Sequence, residues 1–260
     1  MNQEKYRAAF DAIPFSEDFQ QRTKERLIST QAAGKDNIMK TIHRAKALPI
    51  VAALAAVLTI SAAAVMLWLT PSQTAQRFDD PTLAAAFESE DAIILDQTVE
   101  SEGYTFRLAG IVSGKGLSDY ATDLNEEKTY IVASMSHTDG TPIEEAGFDF
   151  VFTPLVAGYQ PRSVNTWTLG GSAGAFVHEG TAYYLYELSS IEMFADRTVY
   201  FAMYEGFVPD TQTFDVAEDG SITFSEDFNG PHALFTIPLD ESKADPDAVA
   251  AFFEESGFEP

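Results

Sequence analysis

Between residues 47 and 69 the chain runs without a single charge, ALPIVAALAAVLTISAAAVMLWL. As a helix rising ~1.5 Å per residue this run is roughly 34 Å long. The hydrocarbon core of a bilayer is about 30 Å thick. A buried helix of a soluble domain keeps a charged or polar stripe over such a length. A signal peptide has a shorter apolar region, about 7–15 residues within the first ~30, and here 46 residues precede the run. The run therefore predicts one transmembrane helix over 47–69. Ala62-Ala63-Ala64 imitates a small-residue cleavage site, which keeps a cleaved leader as the alternative.

Charge sets the expected orientation. Residues 1–46 carry nine Lys/Arg against six Asp/Glu, and Lys40, Arg44 and Lys46 crowd the entry to the run. The first basic residue after it is Arg77. Positive-inside counting places the N-terminus in the cytoplasm and the C-terminus outside the cell membrane, with Trp68 at the outer interface.

The whole chain has 16 basic and 40 acidic residues, and beyond residue 46 there are 7 against 34. An outer part this acidic lacks the basic footprint of a nucleic-acid binder. It is also repelled by anionic membrane or wall surfaces. There is no cysteine, so thiol catalysis and Cys-based zinc sites are excluded, and an outer domain must fold without disulfides. About 190 residues follow the run, ample for a hydrophobic core without such staples.

Residues 1–46 read as a helical head. Tyr6, Phe10 and Ile13 share a helical face until Pro14 breaks it. Ser16 is a good N-cap for a second helix over 17–30, with Glu17 and Asp18 in its first turn. Gly34 and Asp36-Asn37 interrupt it, and a basic helix over 37–46 leads into the run. Helices this short are marginal alone. Their apolar stripe, Tyr6, Phe10, Ile13, Phe15, Phe19, Leu27 and Ile28, is the predicted partner-binding surface. Two other readings stay open: the helices cover each other, or they lie on the membrane as a basic amphipathic anchor.

Residues 70–91 read as a linker with one short helix at 83–87, introduced by the turn signal Asp80-Pro81. From residue 92 the pattern becomes short β-type runs at 93–99, 104–112, 129–137, 148–156, 164–169, 183–188, 198–204, 213–216, 222–224 and 233–238. Phe148, Phe150 and Phe152 face one way and Asp149 the other; Phe106 and Leu108 likewise flank Arg107. The expectation is a mainly β extracytoplasmic domain over 92–240, an antiparallel sandwich of roughly eight to ten strands. Asp139-Gly140 and Asp219-Gly220 are its hairpin candidates, through the positive φ of type I′ turns. A short helix near 248–256 in the C-terminal segment 241–260 is expected to pack Val249, Phe252 and Phe253 on it.

Chemistry is sparse. His43, His137, His178 and His232 show no HExxH or HxxxH spacing. Gly170-Gly171-Ser172-Ala173-Gly174 lacks the residue that a GxSxG elbow requires between Gly and Ser, and reads as a strand connection. Asp119, Asp123 and Asn125 offer a weak cation locus without EF-hand spacing. Tyr183, Tyr184, Tyr186 and Trp167 read as core and cross-strand pairs, with a sugar platform as the alternative. Ala52-xxx-Ala56 would permit close helix approach within the run. No catalytic residue, cofactor site or metal site is predicted, and the expected class is non-enzymatic.

The head YRAAFDAIPFSEDFQQRTKERLI, the single span and the stretches EGYTFRLAGIVSGKG, KTYIVASMSHTDGTPI and ALFTIPLDESKADPDAV together give a layout that resembles a known group. These are single-pass membrane proteins of Gram-positive bacteria with an extracytoplasmic domain of unknown function, described as anti-sigma factors. The resemblance implies a transmembrane regulator whose cytoplasmic head holds a sigma factor until an outside signal, or proteolysis near the membrane, releases it. Zinc-containing anti-sigma heads use His and Cys ligands; this chain has no Cys, so its binding is metal-free, through the apolar stripe. The other class left open is a membrane-anchored envelope binding module with a purely topogenic N-terminus, whose β domain holds wall glycan or a peptide.

Overall fold

One strand shows how the domain is layered. In β6 (Thr181–Ser189, TAYYLYELS), Ala182, Tyr184, Tyr186 and Leu188 enter one core, and Leu185 packs against another on the opposite face. A sheet buried on both faces needs a cover on each. The computed structural model describes residues 68–147 and 149–258. The predicted head, the run up to residue 67 and Phe148 lie outside them. Among the described residues no helix is long and apolar enough to cross a membrane.

The described chain is mainly β, with antiparallel sheets and a short C-terminal helix. A five-stranded sheet has the order β1 (Ile93–Ser101), β2 (Tyr104–Lys115), β3 (Glu127–His137), β6, β5 (Ser172–His178). A three-stranded sheet has the order β10 (His232–Ile237), β7 (Val199–Glu205), β4 (Phe150–Val156), and β8 (Phe214–Val216) pairs with β9 (Ile222–Phe224). The two larger sheets share one core. Phe106, Leu108, Ile131 and Met135 from one meet Phe152, Phe201 and Phe235 from the other. Phe152 and Tyr184 meet edge to face at 4.5 Å between ring centroids, and Phe106 and Phe150 lie 5.7 Å apart. Each large side chain so buried contributes about 1.5–3 kcal/mol.

Among the described residues three α-helices complete the fold: α1 (Pro71–Arg77), α2 (Pro81–Ala86) and α3 (Pro246–Ser256). The C-terminal helix packs as expected: Val249, Phe252 and Phe253 join the shared core, and Phe253 lies 4.9 Å from the Tyr159 ring. Asp80 and Pro81 prove to be the N-cap and first residue of α2, the position where a fixed φ and a missing N–H cost nothing.

Several expectations are corrected. Within the expected linker, Pro71–Arg77 is helix: Thr70 caps α1 with a capping box to Gln73. The stretch 164–169 is a knot of turns, not a strand. Buried Asn165 donates to Pro161 and Arg162 carbonyls and accepts the N–H groups of Trp167 and Thr168, so its side chain takes the backbone groups that a ladder would use. The strand lies just after it, at β5, where the small residues of SAGAFVH hid the period. Asp139-Gly140 turns the chain, with Gly140 at φ +79, but joins β3 to a strand of the other sheet and closes no hairpin. Asp219-Gly220 does close one, pairing Phe214 with Phe224 and Val216 with Ile222. Only Gly220 of the two has positive φ, so this is a longer loop closed by one left-handed glycine rather than a type I′ turn.

Candidate functional site

The feature of greatest functional interest is the outer face of the five-stranded sheet, on which residues 68–92 lie. Register places Thr98, Arg107, Ser134, Tyr183 and Phe176 side by side across all five strands. The last two residues of the apolar run sit on this row. The Leu69 N–H donates to the Tyr183 hydroxyl at 3.1 Å, and the Leu69 carbonyl accepts from Arg107 Nη1 at 3.0 Å. The Arg107 guanidinium lies 5.4 Å from the Trp68 ring centroid, a cation–π contact.

Arg107 is 5% exposed, and a buried cation needs a partner. Its Nε meets Asp96 Oδ1 at 2.6 Å, from a carboxylate that is itself mostly in water. Asp96 stands at an irregularity of β1 with φ +48, a left-handed conformation in which Asp is among the commoner non-glycine residues. That kink turns the carboxylate toward Arg107. Burial pushes the Tyr183 hydroxyl up, against the opposing pull of the Leu69 N–H and the Arg107 charge.

The next row, Gly110, Val132, Leu185 and Gly174, is small at two places because helix α1 and the residue after it come close. A Cβ on Gly110 would stand 2.9 Å from Pro71 Cγ, and one on Gly174 2.5 Å from Phe78 Cε1. Phe78 sits edge-on to Phe176, which stacks on Tyr183 at 5.3 Å. The aromatic line therefore continues from the seat of Leu69 to the end of α1.

The third row is Val112, Tyr130, Glu187 and Ser172. Above it Asp80, 1% exposed, accepts the Leu83 N–H at 2.8 Å, the Ser118 hydroxyl at 2.6 Å and the Asp119 N–H at 3.2 Å. One carboxylate thus caps α2 and binds the loop after β2. Burial, followed by the Glu187 carboxylate, pushes the Tyr130 hydroxyl up. A cleft of 240 Å³ remains here between Asp80, Tyr130, Glu187 and Gly174.

Another open place lies on the opposite side of β5, between it and β4. A groove of 270 Å³ is walled by Phe150, Phe152, Tyr186 and Ala173, with Trp167 and Phe207 at its mouth. Trp167 is 52% and Phe207 79% exposed. Phe207 also borders a wider cleft of 840 Å³ that holds Asp210, Asp227 and Asn229.

Tyr6, Phe10, Ile13, Phe15, Phe19, Leu27 and Ile28 lie outside the described residues. Tyr183, Tyr184 and Tyr186 are core, and Trp167 alone of that aromatic group is exposed. His137, His178 and His232 stand on three different strands, beside Tyr104, Arg77 and Gly230 respectively. Asp119 accepts the Thr82 hydroxyl, and Asp123 the Asn125 N–H. Ser172 lies on edge strand β5. From sequence, Asp80, Arg107 and Phe207 carried no functional role. A charge between two apolar strand residues was the available signal for Arg107, and an aromatic between Gly and Val-Pro for Phe207. Scans of family models, of curated proteins and of solved structures find no match to the chain.

Proposed function

We propose that the chain is a single-pass membrane regulator of the anti-sigma type, with a cytoplasmic head that sequesters a sigma factor and an outer β domain that transmits an envelope signal. One observation carries this reading. The end of the apolar run is seated on the domain by both backbone groups of Leu69 and by the Trp68 ring, with no slack before α1. A merely tethered module gains nothing from such a seat. A transmitter needs it, because a change in the domain can reach a membrane helix only through a stiff junction.

The test uses the full-length chain, tagged and recovered from membranes. A sigma factor is expected to copurify, and Phe10→Asp with Phe19→Asp is expected to release it. Failure of capture sinks the head's role. Inserting a Gly-Ser stretch between Leu69 and Thr70 then examines the junction. Sigma capture is expected to persist while release by an outer stimulus is lost. Unchanged release counts against transmission. The envelope binding module is favoured by a different observation, the exposed Trp167 and Phe207 at an open groove. Replacing residues 1–46 by an unrelated basic anchor leaves that function intact and abolishes the regulatory one.

A further inference from the structure

The groove at Trp167 and Phe207 has the chemistry of a particular ligand. Its floor exists because the two sheets are unequal. The five-stranded sheet extends through β6 and β5, whereas the three-stranded one stops at β4. Tyr186 and Ala173 therefore lie beside β4 where a further strand would sit.

The backbone of β4 tells which groups face that space. The Gly206 N–H donates to the Asp149 carbonyl, and the Glu205 N–H goes instead to Pro231. In the alternation of an antiparallel ladder, Phe150, opposite Glu205, then directs its N–H and C=O away from β7, as do Phe152 and Pro154. The Phe152 carbonyl is occupied by the Thr166 hydroxyl at 2.9 Å. Pro154 has no N–H to offer, a common way to blunt an edge. Among the described residues this leaves both backbone groups of Phe150 and the N–H of Phe152 open, in a groove that Phe207 also lines. A ligand with an extended backbone matches it.

Charge supplies the second half. Asp210 and Asp227 line the cleft that shares Phe207 with the groove, and Phe150 has Asp149 before it in the chain and Glu205 opposite it in register. Among the described residues none of these four carboxylates has an ion-pair partner. Asp210 uses Oδ1 to hold the N–H groups of Gln212 and Thr213. An apolar slot that opens beside a cleft with unpaired carboxylates complements a chain that alternates large apolar and cationic side chains.

We propose that this groove binds an extended cationic peptide, which places one large apolar side chain between Trp167, Phe152 and Tyr186, pairs its backbone with Phe150 and lays basic side chains on Asp210 and Asp227. The proposal rests on the regulatory reading only for the side of the membrane that the groove faces. Its test reads peptide binding directly, so loss of sigma capture and loss of peptide binding are separate results.

The probe is a fluorescein-labelled decapeptide alternating lysine with phenylalanine, titrated into the full-length protein in phosphatidylcholine nanodiscs, with empty discs as control. The Lys-acetylated peptide is the neutral counterpart. Saturable one-to-one binding is expected, weakened about tenfold or more by Trp167→Ala with Phe207→Ser. Both side chains are exposed, so the fold is retained, and circular dichroism verifies it. Asp210→Asn, which keeps an Oδ1 acceptor for the turn, combined with Asp227→Asn, is expected to weaken binding and flatten its salt dependence. The proposal is overturned if wild-type protein shows no saturable binding or if the acetylated peptide binds equally well. It is also overturned if the aromatic double variant binds like wild type, since the peptide is then adhering to the acidic surface at large.

Discussion

The two faces of the five-stranded sheet are covered by different means. The inner face meets the three-stranded sheet through large rings and branched side chains, Phe106, Ile131 and Tyr184 against Phe152 and Phe201. The outer face meets a strap of two short helices through a smaller cluster, Ala75, Leu83, Ala84 and Phe87 against Ala109, Val112, Tyr130 and Val132, with close approach at Gly110 and Gly174. Around that small apolar patch, position is set by directed polar contacts: Arg107 and Tyr183 on Leu69, Asp80 on α2 and Ser118. Bulk burial dominates the inner layer, and the outer one adds directed bonds to a smaller apolar cluster. A cover of the second kind opens at lower free energy than the core beneath it. It is also the part that joins the predicted membrane helix.

The largest expected effect tests the inner layer. Phe152→Ala removes a ring from the middle of the shared core and is expected to lower global stability by about 3–5 kcal/mol, read by denaturant unfolding. A loss smaller than that from the outer-layer variants would invert the comparison.

Alkaline pH tests the same layer by another route. Burial, and next the Asp149 carboxylate, push the Tyr184 hydroxyl up to about 12, while an unfolded tyrosine ionises near 10. A folded pKa above the unfolded one means the contribution is intact below pH ~10 and is lost as pH rises through ~12. For Tyr184 the loss amounts to roughly 2–3 kcal/mol at the upper end. Tyr184→Phe is expected to flatten the slope of stability against pH between those limits.

Arg107→Ala acts on the outer layer alone. It strips the Leu69 carbonyl of its donor and Trp68 of its cation, and is expected to cost about 1–3 kcal/mol. Amide exchange is expected to quicken in the strap before it changes in β7. Uniform quickening through both sheets would show that the strap is not a separate layer.

Tyr183→Phe is the finest probe. It deletes one acceptor for the Leu69 N–H and keeps the ring stack on Phe176, so the expected cost is about 0.5–1.5 kcal/mol, confined to exchange at Leu69 and α1.

Local patterns along the chain were enough to mark the ingredients. Alternation around Arg107 and a β-type run at 183–188 marked strands, and the matched arms around Asp219-Gly220 marked their hairpin. Asp80-Pro81 marked a chain reversal into a helix, and Val249, Phe252 and Phe253 marked a packed terminal face. These signals are local, because alternation and capping are set by neighbours in the chain. Tertiary structure alone decided which strands adjoin and what lies over each face. Alternation says that Arg107 points away from Phe106 and Leu108; it does not say that Trp68 and Leu69, far back in the chain, lie on it. Nor does any local pattern show that one sheet stops two strands short of the other, leaving Phe150, Trp167 and Phe207 around an open groove. Burial depends on what arrives from elsewhere, and that was decided when the two layers and the strap came together.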